Sequence, residues 1–162
     1  MSSPIDPSTG QIAAAPEPAA PAFRIAINQR DAGYIAVVDD DRGIAEAIAD
    51  WLDFEGIAHH IFDSAEAMLA VLQNSDKGLH IAPTPTTPSR PLIGAIIDIN
   101  LPGQNGLVLS ENLRQLAPEL PIVMISAMRQ TDINKFGTLR ADIPLLSKPF
   151  ELDALENALL AL

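Results

Sequence analysis

Five short apolar runs punctuate the chain: Tyr34 to Val38, Ile57 to Phe62, Leu92 to Ile97, Pro121 to Ile125 and Ile143 to Ser147. Each reads as a buried strand, and the third is apolar almost throughout, as expected of a strand covered on both faces in a parallel sheet. The segments between them follow helical spacing. After Asp41, placed as an N-cap, a helix carries Ile44, Ile48 and Trp51 or Leu52 along one side and stops at Gly56. Asp63 and Glu66 suggest a capping box for a second helix with Ala65, Met68, Leu69 and Leu72 inward. Leu107 to Ala117 forms a third, with Leu109, Leu113 and Leu116 on its core side and Pro118 ending it. A weaker fourth helix spans about Thr131 to Leu139, with Ile133 and Phe136 inward and Gly137 costing about 1 kcal/mol against alanine. Glu151 to Leu162 is the fifth, with Leu152, Leu155, Leu159 and Leu162 at helical spacing.

Two stretches break this rhythm. Residues 1–30 are rich in Pro, Ala and Ser without a period, which predicts a disordered or loosely packed arm. Within it Phe23, Ile25 and Ile27 alternate, a pattern that also suits an edge strand or a cover over an apolar patch. Asn74 to Pro91 carries four prolines after Ala82 and no usable period. It is expected to be an extended surface loop inserted into a domain spanning residues 31–162.

Strands alternating with helices predict an α/β fold, doubly wound, whose five-stranded parallel sheet has right-handed crossovers and helices on both faces. In such a sheet all the strand C-terminal ends share one edge. Asp39 and Asp40 follow the first strand, Asp98 ends the third in AIIDINLPGQNG, Ser126 ends the fourth and Lys148 follows the fifth. The turn formers Asn100, Pro102, Gly103 and Gly106 keep Asp98 at the strand tip.

Composition removes several function classes. The absence of cysteine excludes a disulfide framework, thiolate metal sites and a cysteine nucleophile. Two of the three histidines, His59 and His60, are adjacent, so in a strand they point to opposite faces. A net charge of −11 argues against direct nucleic-acid binding and for a protein partner. No apolar run approaches the roughly 18 residues of a membrane span, and no secretory signal pattern opens the chain, so a soluble cytoplasmic protein is expected.

Singly, the strand-tip residues have ordinary readings: a solvated turn and cap for Asp39, Asp40 and Asp41, a turn hydroxyl for Ser126, a surface charge for Lys148. Together they describe a site. Clustered carboxylates repel unless a cation sits among them or one stays protonated. Oxygen-only donors select Mg²⁺ or Mn²⁺. Lys148 offers a point charge and Ser126 a hydroxyl to phosphoryl oxygens, and a carboxylate nucleophile makes this a site for an acyl-phosphate on Asp98.

From Tyr34 to Leu162 the sequence resembles a response-regulator receiver domain of two-component signalling. The resemblance rests on Asp39 and Asp40 in IAVVDDD, Asp98 in IIDINLPGQNG, Ser126 in IVMISA and Lys148 in LLSKPF, in the family's order. It implies a flavodoxin-like sheet of order 2-1-3-4-5, with Asp98 as phosphoacceptor and Ser126 and Lys148 as its catalytic partners. It further implies Mg²⁺ held by Asp39, Asp40, Asp98 and the Asn100 backbone carbonyl, and a cis Lys148-Pro149 peptide. The implied partners are a sensor histidine kinase or histidine phosphotransfer protein, and a downstream protein met by the face of the fourth helix, fifth strand and fifth helix. The sequence departs from the family at Leu145, where receivers carry Tyr or Phe, at Ala141-Asp142 in place of Gly-Ala, and in the proline-rich insertion. With nothing after the fifth helix, no output domain is expected, and no enzymatic role beyond self-phosphorylation and dephosphorylation. Two alternatives stand beside this reading: a receiver-like interaction module independent of phosphorylation, and a haloacid-dehalogenase-type phosphatase. The second is disfavoured because its acid pair follows the nucleophile and it has Asp where this chain has Asn100.

Overall fold

The computed structural model describes residues 23–160. Its elements run β1 (Tyr34–Val38), α1 (Arg42–Phe54), β2 (His59–Phe62), α2 (Ala65–Val71), β3 (Leu72–Ser75) and β4 (Gly78–Ile81). They continue through β5 (Arg90–Asp98), α3 (Gly106–Leu116), β6 (Ile122–Ser126), α4 (Gln130–Ile133), β7 (Leu145–Ser147) and α5 (Leu152–Leu159).

 The parallel ladder reads β2–β1–β5–β6–β7, which is the expected 2-1-3-4-5 order once the pair β3 and β4 is set aside.

The period-two alternation of the strands divides the core into two layers. Ala36, Val38 and Ile97 face Met68 of α2 and Leu109 and Leu113 of α3. Ile35, Val37, Ile96 and Val123 face Ile48 and Leu52 of α1 and Leu155 and Leu159 of α5. All five residues of β1 and of β6 are buried, as strands covered by helices on both sides must be.

Local chemistry sets the helix starts. The Asp41 side chain accepts from the Ile44 N–H at 3.2 Å and caps α1, while Gly56 beyond its end takes φ +72°. At α2 the cap is Ser64, whose Oγ accepts from the Ala67 N–H at 3.1 Å, and not Asp63. The expected capping box is therefore absent, because Glu66 turns away to the main chain at Gln104. Asn105 caps α3 through the Val108 N–H at 3.0 Å.

Several expectations are corrected. The stretch from Asn74 to Pro91 is not a continuous surface loop: β3 and β4 form an antiparallel hairpin, and β4 pairs antiparallel with Arg90 and Pro91 at the start of β5. Leu79 and Ile81 are buried in the core under it, which confines the irregular, proline-bearing part to residues 82–89. The fourth helix shrinks to a single turn, and Gly137 behind it adopts φ +147°. Leu116, Phe136 and Leu152 are exposed by 45%, 45% and 42%, so none of the three serves the core as its spacing suggested. Of the N-terminal arm, residues 1–22 lie outside the described residues, as does Leu162. Within the rest Ile25 is buried, donates its N–H to the Leu159 carbonyl at 2.8 Å and bridges to Leu160. That segment covers an apolar patch, one of the two roles its alternation allowed.

Burial of Ile81 makes the hairpin a structural part of the domain. Ile81→Ala is expected to lower stability in urea unfolding by about 2–4 kcal/mol, whereas Thr86→Ala in the exposed loop stays within about 0.5 kcal/mol.

Candidate functional site

Parallel register brings the acidic strand tips together. Val38 pairs with Ile97 across β1 and β5, so Asp39 and Asp98 are the next residues out on neighbouring strands. The Asp39 N–H is held by the Phe62 carbonyl at 3.0 Å, and the Asp98 main chain is backed by Gly106, where any Cβ would collide with the Asp98 carbonyl oxygen. Across the other side, the Lys148 N–H donates to the Ser126 carbonyl at 2.7 Å, and Lys148-Pro149 is cis.

These backbones aim three side chains at one point. Lys148 Nζ donates to Asp39 Oδ2 at 2.9 Å and to Asp98 Oδ2 at 3.1 Å. The remaining carboxylate oxygens also have partners: Asp39 Oδ1 accepts from the Asp41 N–H at 2.9 Å and Asp98 Oδ1 from the Asn100 N–H at 3.2 Å. Asp39 and Asp98 are buried and Asp40 is exposed. Oxygens of all three acids lie within 4.8 Å of one another. A cavity of about 390 Å³ opens beside them, lined by Asp40, Asp41, Asp98, Asn100, Ala127, Met128 and Lys148.

Electrostatics follow from this packing. Burial first, then the charge of Asp39, pushes the Asp98 carboxyl up to about 6, against the pull of Lys148. Burial draws the Lys148 ammonium down, but its hydrogen bonds and charge pairing with Asp39 and Asp98 outweigh that, and its pKa ends above the ordinary value. The clustered acids are expected to need a cation among them or one carboxyl kept protonated. Here the lysine ammonium partly meets that need and leaves Asp98 easy to protonate.

Residues 91–160 match the family model described as the response regulator receiver domain. The chain carries a response regulator receiver domain. It is 32% identical over 124 residues to the response regulator protein FleR of Pseudomonas aeruginosa, a match covering 76% of this chain and 23% of that protein. To the heme response regulator HssR of Staphylococcus epidermidis it is 27% identical over 119 residues, covering 74% of this chain and 46% of the relative. The matched part thus spans less than half the length of these two relatives. Among solved structures, a CheY-like receiver domain protein from Methanospirillum hungatei superposes with a TM-score of 0.59 at 27% identity, over 76% of this chain and 88% of that one. The chemotaxis protein CheY4 of Vibrio cholerae shares the fold, with a TM-score of 0.57 at 20% identity, over 78% of this chain and 98% of that one. Receiver domains are signalling domains of two-component systems, and phosphorylation on aspartate is general among them.

In this receiver domain Asp40, Asp98, Asn100 and Lys148 line the cavity, and Asp39 joins them through Lys148 and the convergence of the three acids. Ser126 is not among the residues lining that cavity, though its carbonyl accepts from the Lys148 N–H. It is buried at the tip of β6, and its Oγ accepts from the Met128 N–H at 2.9 Å in a local turn. Sequence reasoning missed the role of Glu66, whose carboxylate accepts from the Gln104 N–H at 2.8 Å and is held below the usual range chiefly by that bond. The glycine at 103 was the available signal, because it is the residue that leaves room for such an approach. Among the described residues no helix is long and apolar enough to cross a membrane.

The acid donors suit a hard divalent cation: they are oxygens only, they converge, and Asp40 is exposed to receive it. The raised pKa of Asp98 sets a pH dependence for the metal-free protein. Between the ordinary value of 3.8 and about 6 the unfolded chain gives up this proton while the folded one keeps it, so stability falls as pH rises through that window. Asp98→Asn removes the effect. In chelator-treated samples its melting temperature is expected to gain on wild type from about pH 4 to about pH 6 and then level off. A gap that is constant, or that narrows with rising pH, would contradict the assignment.

Proposed function

We propose that Asp98 is the phosphoacceptor of a signalling switch operating in the cytoplasm, taking its phosphoryl group from a sensor histidine kinase or a histidine phosphotransfer protein. The observation that carries this reading is the buried Asp98 carboxylate at the mouth of the cavity, 3.1 Å from the Lys148 ammonium and next to Asp39 and Asp40. An Asp98 oxygen forms the new P–O bond as the bond from phosphorus to the donor histidine nitrogen breaks, and that nitrogen leaves. Lys148 then has a second anion to pair with, the acyl-phosphate, and follows it away from Asp39. The Ser126 hydroxyl proton is not used in its bond from Met128 and is free to be donated to a phosphoryl oxygen.

Asp39, Asp40, Asp98 and the Asn100 main-chain carbonyl would hold Mg²⁺, with Mn²⁺ as a substitute. When bound, the ion supplies positive charge to the phosphoryl oxygens in transfer. Residues 31–162 form the receiver unit in this reading, with the hairpin and loop of residues 74–91 as an addition to it. The downstream partner is met by α4, β7 and α5, where Phe136 and Leu152 expose apolar surface and Leu145 replaces the usual aromatic. A single-turn α4 is easily rearranged.

Intact-mass spectrometry after mixing with acetyl phosphate and Mg²⁺ tests the assignment. Wild type should gain one phosphoryl group and Asp98→Asn none. Full modification of the variant would move the nucleophile elsewhere. Millimolar Mg²⁺ should raise the melting temperature of wild type and lose that effect in Asp39→Asn with Asp40→Asn.

A further inference from the structure

The loop that follows Asp98 is fixed at both ends. The Ile99 N–H donates to the Ile125 carbonyl at 3.0 Å, and the Gly106 N–H returns to the Ile99 carbonyl at 2.9 Å. Its tip, Pro102 to Gln104, projects toward α2. There Glu66 Oε1 accepts from the Gln104 N–H at 2.8 Å, across 38 residues of sequence. Gly103 takes φ +70°, and a Cβ on it would lie 2.7 Å from Glu66 Oε1, so the contact needs glycine for both conformation and space.

The backbone at Glu66 is set by the start of α2. This residue lies in the first turn of α2, whose cap is Ser64, and α2 follows β2, whose Phe62 carbonyl holds the Asp39 N–H at 3.0 Å. Two hydrogen bonds, joined by the backbone of residues 62–66, therefore link Asp39 to the loop of Asn100, whose own N–H returns to Asp98 Oδ1 at 3.2 Å.

We propose that Glu66 is a positioning residue: it clamps the loop after Asp98 so that the Asn100 main chain stays in register with Asp39 and Asp98 for cation binding. The inference rests on the metal-binding reading above, and Glu66 touches neither the ion nor the phosphoryl group. A charged acceptor makes the Gln104 bond stronger than a neutral one would, yet a neutral amide oxygen of the same reach can still accept it.

The test compares Glu66→Ala and Glu66→Gln with wild type by two measurements: Mg²⁺ titration calorimetry, and amide exchange of residues 100–105 in chelator. Glu66 is exposed, so neither variant should threaten the fold. The alanine variant is expected to bind Mg²⁺ about 10-fold more weakly, the size typical of losing an outer partner of a metal ligand, and to exchange faster at residues 100–105. The glutamine variant should lie close to wild type in both. Unchanged Mg²⁺ affinity in Glu66→Ala overturns the proposal. So does equal weakening in both variants, which would make Glu66 a remote charge and not a clamp, and so does weakening with no change in exchange. Wild type that neither binds Mg²⁺ nor accepts phosphate would instead overturn the reading on which the inference rests.

Discussion

Like charges held side by side in a buried place are the constraint on which the site depends. Asp39 and Asp98 end adjacent parallel strands, and register alone forces their carboxylates together, whatever the electrostatic cost. The Lys148 ammonium, within 3.1 Å of both, offsets part of that cost. It does so incompletely: burial, and then the charge of Asp39, still hold the Asp98 carboxyl up at about 6. A site left under this tension favours any arrival of positive charge.

The tension holds only because the backbones cannot retreat. Gly106 packs against the Asp98 carbonyl too closely for any side chain, the Asp39 N–H is tied to Phe62, and Lys148 hangs from the Ser126 carbonyl. Each anchor is a main-chain hydrogen bond or a steric contact in the rim of the sheet. The two core layers beneath keep that rim stiff.

Strand-tip chemistry was legible in the sequence because it depends on short-range order: an apolar run, then an acid, then turn formers. The strand order followed from the family resemblance, and Asp41 and Gly56 marked α1 by ordinary capping chemistry. What stayed hidden depends on distance along the chain. Leu79 and Ile81 are two buried residues in a four-residue strand, too brief a pattern to separate from the proline-rich loop that follows; Leu79 pairs with Asn74, and Ile81 with Leu72 and Arg90. Glu66 fits a capping box by spacing, but Ser64 is better placed to cap, which frees the carboxylate for a loop 38 residues away. Leu116, Phe136 and Leu152 show the opposite failure: correct periodicity on helices too short, or too near the rim, to bury every member of the stripe.

The position of the β3–β4 hairpin keeps it clear of the site. It pairs with Arg90 and Pro91, at the start of β5, while Asp98 ends that strand eight residues later, roughly 26 Å away at about 3.3 Å per residue. Strand β5 is buried along its second half and paired on both sides by β1 and β6, so the extension lengthens it only where those neighbours have stopped or are just beginning. New backbone pairing at the far edge therefore adds buried apolar surface through Leu79 and Ile81 without altering the register of Asp39 against Asp98. The chemistry at one rim and the elaboration at the other are separated by a strand whose middle tolerates neither.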